Sequence, residues 1–263
     1  LSGGFDSSVV AATMQSLSKD PVKTFSIGFH DEGYNEAKHA RAVADHLGTE
    51  HTELYVDPTS ARGVVPDLPR LYDEPFADSS QLPTYLVSEM TRAHVTVALS
   101  GDGGDELFAG YSRYQWADAL WRRFGDLPLA LRRAVAATLT MVPAATWSAA
   151  AWLLPERLSA GRLDDRVEKF ARYISQSDAN GIYRAQHSHW PSNLACRGKE
   201  RKGISWDPSL AREIPDFVER MQFMDMVQYL PDDVLTKVDR ASMAVSLEAR
   251  VPLLDHRVVE FAW

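Results

Sequence analysis

Helix and strand patterns alternate through the first hundred residues of this 263-residue chain. Apolar residues at helical spacing in 10–17 and 40–47 are each followed by strand-like alternation, at 25–29 and 52–56. A third helix, through Leu86 and Met90, precedes the apolar run 95–99. This order predicts an α/β fold with a doubly wound parallel sheet, in which ligands bind beyond the carboxyl ends of the strands.

The second half of the chain has no strand pattern. Apolar stripes at helical spacing predict helices in 131–154 and 217–230, with prolines between the helical segments. We therefore predict an α/β part over residues 1–125 and a helical part of the same domain over residues 126–263. The stretch 157–215 has mixed periodicity, and no role is assigned to it.

The run Ser2–Ser8, with the sequence SGGFDSS, is suited to holding an oxyanion. Its glycines let main-chain N–H groups approach closely, and the two serine hydroxyls and the start of a helix add donors for phosphate. Asp6 among these donors would repel phosphate unless a cation intervened, which indicates Mg²⁺. The loop lacks the lysine of a Walker A loop, and no G-x-G-x-x-G follows a predicted strand. An ordinary capping turn remains the alternative.

A second loop, Ser100–Glu106 with the sequence SGDGGDE, follows the predicted strand 95–99 directly. Acidic residues are favoured in a first helical turn by the helix dipole, but three carboxylates among three glycines exceed what capping requires. Such a loop could complete the Mg²⁺ shell begun by Asp6 and leave a carboxylate for proton transfer.

Composition excludes several classes of protein. The net charge of −8 argues against a nucleic-acid partner, although a local basic run lies at 197–202. Residues 134–154 carry no charge but include Pro143, so a buried helical pair is favoured over a membrane span. Cys196 is the only cysteine, which argues against a disulfide framework and fits a reducing cytoplasm.

Four segments together resemble the synthetase domain of glutamine-dependent asparagine synthetases, members of the PP-loop ATP pyrophosphatase group. They occur in the family's order and extend over nearly the whole chain: Ser2–Ser8, 25–29, Ser100–Tyr111 and Leu247–Asp255. The resemblance implies a carbon–nitrogen ligase that uses ATP and Mg²⁺. An aspartate carboxylate would attack the α phosphorus, release pyrophosphate and form an acyl-adenylate, which ammonia would convert to asparagine.

The resemblance also implies roles for individual residues, with each position named in this chain. Asp6 and Asp105 would bind Mg²⁺, and Asp102 would lie near the intermediate and the incoming ammonia, so these three carboxylates are the catalytic candidates. Glu106 is a further candidate, with a helix-start charge as the alternative. The pyrophosphate and nucleotide contacts would come from Ser2, Gly3, Gly4, Asp6, Ser7, Ile27, Ser100 and Gly101, although Ile27 could equally be a core strand residue.

Asp233, Lys237 and Arg240 are spaced on one face of a helix predicted to open at Pro231. They could form a charged wall facing the phosphates or an exposed face with an ion pair between Asp233 and Lys237. Glu248 and Arg250 could form a structural salt bridge. A homodimer is left open.

The sequence also departs from the family's pattern. The family's N-terminal glutaminase domain, which would supply ammonia, should precede Leu1, and its pyrophosphate lysine lies downstream of the last matched motif. Residues 73–80 (DEPFADSS) are acidic where some asparagine synthetases place an arginine for the substrate. Two alternatives therefore stay open: a β-lactam synthetase-like enzyme acting on another carboxylate, and a nucleotide-binding module without turnover.

Overall fold

A computed structural model describes residues 1–30, 35–150, 163–188 and 203–263. Two compact units are present, one formed by Leu1–Gly110 with Asp225–Trp263 and the other by Tyr111–Met224. The predicted division after residue 125 differs from this grouping. The reason is that the last segment of the chain returns to the first unit, where its strand Glu248–Arg250 pairs with Val97–Leu99.

Helices and strands follow one another as the sequence pattern predicts through the first part of the chain. The elements up to residue 110 are α1 (Phe5–Leu17), β1 (Lys23–Phe29), α2 (Ala37–Leu47), β2 (Glu50–Val56), α3 (Pro58–Val64), α4 (Leu68–Tyr72), α5 (Gln81–Arg92), β3 (Val97–Leu99) and α6 (Gly104–Leu107). The second unit contains α7 (Ser112–Phe124), α8 (Leu129–Met141), α9 (Ala144–Ala150), α10 (Leu163–Ile174), α11 (Ala179–His187), α12 (Leu210–Glu213) and α13 (Phe217–Met224). The returning segment contains a π-helix (Asp225–Leu235), α14 (Thr236–Met243), β4 (Glu248–Arg250) and α15 (His256–Ala262).

All strand pairing in the described ranges is parallel, which confirms the predicted α/β class. β1 pairs with β2 from Lys23 opposite Glu50 to Phe29 opposite Val56, and β3 pairs with β4. The strands form two separate pairs within the part of the chain that the structure describes. β3 is accordingly not the fully buried strand that its apolar sequence suggests, since Val97 and Leu99 are 39% and 38% exposed.

Small residues let α2 pack closely on the first strand pair. Ala40 and Ala44 are fully buried, and a β-carbon on Gly28 of β1 would lie 3.0 Å from that of Ala37. The helix ends at Gly48, which adopts the left-handed conformation that glycine favours at such an end. α5 packs near β1, where a core cluster forms around Val56, Val64 and Leu86.

Two expectations for the second half need correction, and one is confirmed. That half contains a strand, β4, which was missed because its three residues Glu-Ala-Arg are too few and too polar to give a pattern. The helical pair predicted in 131–154 is confirmed over the described residues: α8 ends at Met141 and α9 starts at Ala144, because Pro143 lies between them. Pro231 does not open a helix but lies inside the π-helix, and α14 starts at Thr236.

Some sequence-based expectations fall on residues outside the described ranges. The basic run 197–202 and Cys196 lie entirely there, as do residues 151–154 of the uncharged stretch. Among the helices that the structure describes, none has both the length and the hydropathy of a membrane span.

Candidate functional site

The first glycine-rich loop forms a tight, self-supporting turn before α1. Gly3 has a φ of 82°, a conformation that favours glycine, and a β-carbon there would lie 2.6 Å from that of His39 in α2. The hydroxyls of Ser2 and Ser7 lie 3.0 Å apart, and they accept the N–H groups of Gly4 at 3.2 Å and Ser2 at 3.1 Å. These hydrogen bonds within the turn hold its conformation.

The start of α1 remains open for an anion. Gly4 is the N-terminal cap and contributes no side chain, so the donors of the first turn are not covered by a capping group. α1 has 13 residues, enough for the partial positive charge of its dipole to develop. Backbone N–H groups and the helix dipole thus point to the same place, as in other anion sites at helix N-termini.

The second loop packs directly on the first. A β-carbon on Gly101 would lie 2.5 Å from the backbone nitrogen of Ser7, and one on Gly104 would overlap the Asp6 carboxylate. Gly103 has a φ of 85°, which lets the chain turn sharply into α6. Gly101 and Gly104 therefore serve close approach to α1, and the structure brings together two loops that are about a hundred residues apart in the sequence.

Three carboxylates accumulate where the loops meet. Burial raises the pKa of Asp6 above its ordinary value, and the negative charges of Asp105 and Asp102 raise it further. Asp105 and Asp102 are thus near enough to Asp6 to repel its negative charge. A bound cation would relieve that repulsion.

The donor set suits a magnesium ion shared with a phosphate ligand. Within the described residues, no three or more His, Cys, Asp or Glu side chains converge into a metal cage of their own. Mg²⁺ is usually held by one or two carboxylates together with water and substrate phosphates, so such a cage is not required. Asp6, beside the open start of α1, and Asp105 are the carboxylates that fit this arrangement.

The segment Leu247–Asp255, the last of the four family-like segments, packs against the second loop. The N–H of Ser100 donates to the carbonyl of Arg250 at 2.9 Å, and the Leu254 side chain lies against Gly103. Arg250 itself donates to Glu248 at 2.7 Å on the surface, which is the structural salt bridge that the sequence allowed.

Other candidates have different surroundings. Ile27 packs against the core cluster below α5, as a core strand residue does, and Glu106 is only 1% exposed, which favours a structural role. Lys237 donates to Asp78 at 2.6 Å, and Arg240 donates to Asp73 at 2.8 Å. These cations therefore contact the acidic segment 73–80, a pairing that the helical spacing of Asp233 and Lys237 did not reveal.

Comparison with known proteins gives one family over the full length. The asparagine synthase family matches residues 1–263. The chain is similar to asparagine synthetase [glutamine-hydrolyzing] 1 of Bacillus subtilis, with 31% identity over all of this chain and 39% of that protein. It is 34% identical to a putative asparagine synthetase [glutamine-hydrolyzing] of Mycobacterium tuberculosis H37Rv, again over all of this chain and 38% of that protein.

A shorter match extends to animals. The human asparagine synthetase [glutamine-hydrolyzing] is 36% identical over 121 residues, or 42% of this chain and 21% of that protein. The chain thus spans about two-fifths of the length of the bacterial relatives that it matches end to end.

Proposed function

Because the chain belongs to the asparagine synthase family, we propose that it is the synthetase part of an ATP-dependent, amide-forming ligase. It activates the side-chain carboxylate of aspartate as an acyl-adenylate and then forms asparagine with ammonia. The close packing of Gly101 and Gly104 on the first turn of α1 carries the proposal. In support of it, that packing brings the acidic second loop, whose carboxylates are suited to Mg²⁺ and to proton transfer, beside donors suited to pyrophosphate.

In the first step, a carboxylate oxygen of aspartate attacks the α phosphorus of ATP, and the bond from that phosphorus to pyrophosphate breaks. The first loop binds the departing pyrophosphate through the N–H groups at the start of α1 and the hydroxyls of Ser2 and Ser7. These donors are fixed in advance by the turn, so little reorganisation is needed as charge develops. Ser100 and Gly101, beside this turn, hold the nucleotide.

Asp6 and Asp105 would hold a magnesium ion. Such an ion would neutralise negative charge on the phosphates and polarise the phosphorus that is attacked. Burial and, after it, the negative charges of Asp105 and Asp102 raise the pKa of Asp6, so a cation beside this carboxylate would be favoured.

In the second step, the nitrogen of ammonia attacks the activated carbonyl carbon, AMP leaves and one proton is released from nitrogen. Asp102, on the same loop, orients the ammonia and accepts that proton. The full-length relatives are named as glutamine-hydrolysing, so ammonia comes from glutamine in a further domain of the parent protein.

A related reaction on another carboxylate is the second candidate. The segment 73–80, where some asparagine synthetases place an arginine for the substrate, is acidic, and its Asp73 and Asp78 bind Arg240 and Lys237. The geometry of the site therefore supports the adenylation step more directly than it supports aspartate as the acid.

The experiment is an analysis of products formed by the full-length protein from ATP, Mg²⁺ and aspartate, with either ammonium or glutamine. Equal amounts of AMP and asparagine are expected, and D6N and D105N should abolish both. The exposed Asp126 offers a matched control, D126N, which should remain active. ADP in place of AMP, or full activity in both D6N and D105N, would contradict the proposal; ATP binding without turnover would favour a nucleotide-binding module.

A further inference from the structure

The acidic segment, residues 73–80, lies beyond the carboxyl end of β1. It connects α4 to α5, and α5 runs antiparallel to β1. Leu86, in the first half of α5, packs in the cluster that contains Phe29, at the end of β1. The ring of His94, just past the end of α5, lies 5.5 Å from the ring of Phe25, nearer the start of β1. The start of α5, and the segment before it, are therefore at the carboxyl edge of β1. Gly3 contacts α2 at this edge too, since α2 follows the end of β1.

Lys237 reaches the same edge from the other end of the chain. It lies in the first turn of α14, which packs against α4, α5 and β4. A short connection, residues 244–247, joins α14 to β4. A helix that packs on the strand to which such a short connection leads runs antiparallel to that strand. The first turn of α14 thus lies towards the end of β4 where Arg250 contacts Ser100.

Asp78 is held on both of its oxygens. One accepts Lys237 Nζ at 2.6 Å, and the other accepts both the N–H and the hydroxyl of Ser80 at 2.7 Å. Burial by itself would raise the pKa of Asp78, but the hydrogen bonds from Lys237 and Ser80 outweigh it and lower that pKa. The carboxylate is therefore charged and its orientation is fixed.

The ion pair is better suited to fixing a geometry than to stabilising the fold. The side chains of Lys237 and Asp78 are only 13% and 16% exposed, so the cost of removing both charges from water offsets much of their attraction. One turn further along α14, Arg240 binds Asp73 in a pair that is 47% and 69% exposed and contributes little. Between them, the two pairs tie both ends of the acidic segment to one helix.

The charge of the segment indicates which ligand it faces. Lys237 and Arg240 offset the charges of two of the segment's three carboxylates. Glu74 leaves a net negative charge, which would repel the triphosphate of ATP, whereas an amino-acid acceptor carries an ammonium group that tolerates it. We propose that Lys237 and Asp78 are a positioning pair that fixes the acidic segment beside the acceptor amino acid and sets the enzyme's affinity for that acid rather than for ATP. This inference rests on the proposed function, which supplies the acceptor.

The test measures KM for the acid and for ATP separately in ATP–pyrophosphate exchange by the full-length protein. K237M should raise the KM for the acid about tenfold or more, because a small displacement of the acidic segment weakens binding of the acid. It should leave the KM for ATP almost unchanged. K237R keeps the charge and should restore most of the affinity. R122M removes an exposed ion pair with Asp118 on α7 and should change neither constant.

Hydrogen exchange supplies a readout that does not depend on turnover. The N–H groups of Ser80 and Gln81 donate to Asp78, so both should exchange faster in K237M than in the wild type. A rise in the KM for ATP equal to that for the acid, or an unchanged KM for the acid, would overturn the positioning role. If the wild type activates no acid, the proposed function fails, and unchanged exchange at Ser80 and Gln81 would then overturn the positioning role as well.

Discussion

Gly104 lies against Asp6 so closely that a β-carbon on Gly104 would come within 2.6 Å of both carboxylate oxygens. Substitution by alanine must therefore displace Asp6 or the second loop. We expect G104A to lose at least about 100-fold in kcat/KM, because misplacing a catalytic group by about 1 Å has effects of that size. Steady-state kinetics of AMP formation measure the loss.

A glycine elsewhere supplies the control for this substitution. Gly63 in α3 has no heavy atom near the position that a β-carbon would take. G63A should keep full activity and be slightly more stable, by about 0.5–1 kcal/mol, as expected for Gly to Ala in a helix. Equal activity of G104A and G63A would show that Gly104 does not set the position of Asp6.

His51 predicts how stability depends on pH. Its ring nitrogens lie 2.8 Å from the Thr24 hydroxyl and 3.1 Å from that of Ser26, both of which are buried. Burial lowers the pKa of His51 below its usual value of about 6.5, although Glu53 acts in the opposite direction. The unfolded chain therefore binds the proton more readily, and the free energy of unfolding should fall as the pH drops below about 6.5.

Urea denaturation between pH 5 and pH 8 tests this expectation. The charged groups that influence the ring are Glu53, the ammonium group of Leu1, Arg41 and Asp45. The pKa of Glu53 is lowered by Arg41, so Glu53 titrates below this window. H51Q, which cannot titrate, should flatten the slope between pH 5 and pH 7. An equally steep slope in H51Q would assign the pH dependence to other groups.

Substitutions of two neighbouring arginines on α8 should have contrasting effects on stability. Arg132 is 5% exposed and donates to the carbonyls of Leu127, Ile174 and Gln176 at 2.7–3.1 Å. R132M leaves these buried acceptors without their donor and should reduce the free energy of unfolding by about 3 kcal/mol. The adjacent Arg133 is exposed, so R133M should change it by less than about 0.5 kcal/mol. Denaturant unfolding of both variants checks the difference, and similar values would contradict it.

The sequence predicts the α/β core well because its signals are local. Helical stripes, alternation at 25–29 and 52–56, and Gly48 at the end of α2 each reflect a few neighbouring residues. The glycine-rich loops could also be recognised, since close approach of two backbones requires glycine, and glycine is visible in the sequence. β4 was not predicted, because a three-residue strand is specified by its partner β3 rather than by its own side chains.

Pairings between distant segments could not be predicted in this way. Lys237 has a helical neighbour of opposite charge at Asp233, yet its partner at 2.6 Å is Asp78, 159 residues earlier. The π-helix around Pro231 changes the phase of the helical pattern just before Lys237, so a uniform helical spacing misplaces the face. The contact of Gly104 with Asp6 likewise depends on how two loops fold together.

The most direct test of adenylation is Mg²⁺-dependent exchange of labelled pyrophosphate into ATP by the full-length protein, with aspartate and a panel of other carboxylic acids. Exchange that requires both Mg²⁺ and aspartate, and that is lost in D6N, is the predicted result. Exchange with another acid alone would keep the reaction and change the substrate. If ATP binds but no acid supports either exchange or release of AMP in the presence of ammonia, acyl-adenylate formation at this site is contradicted.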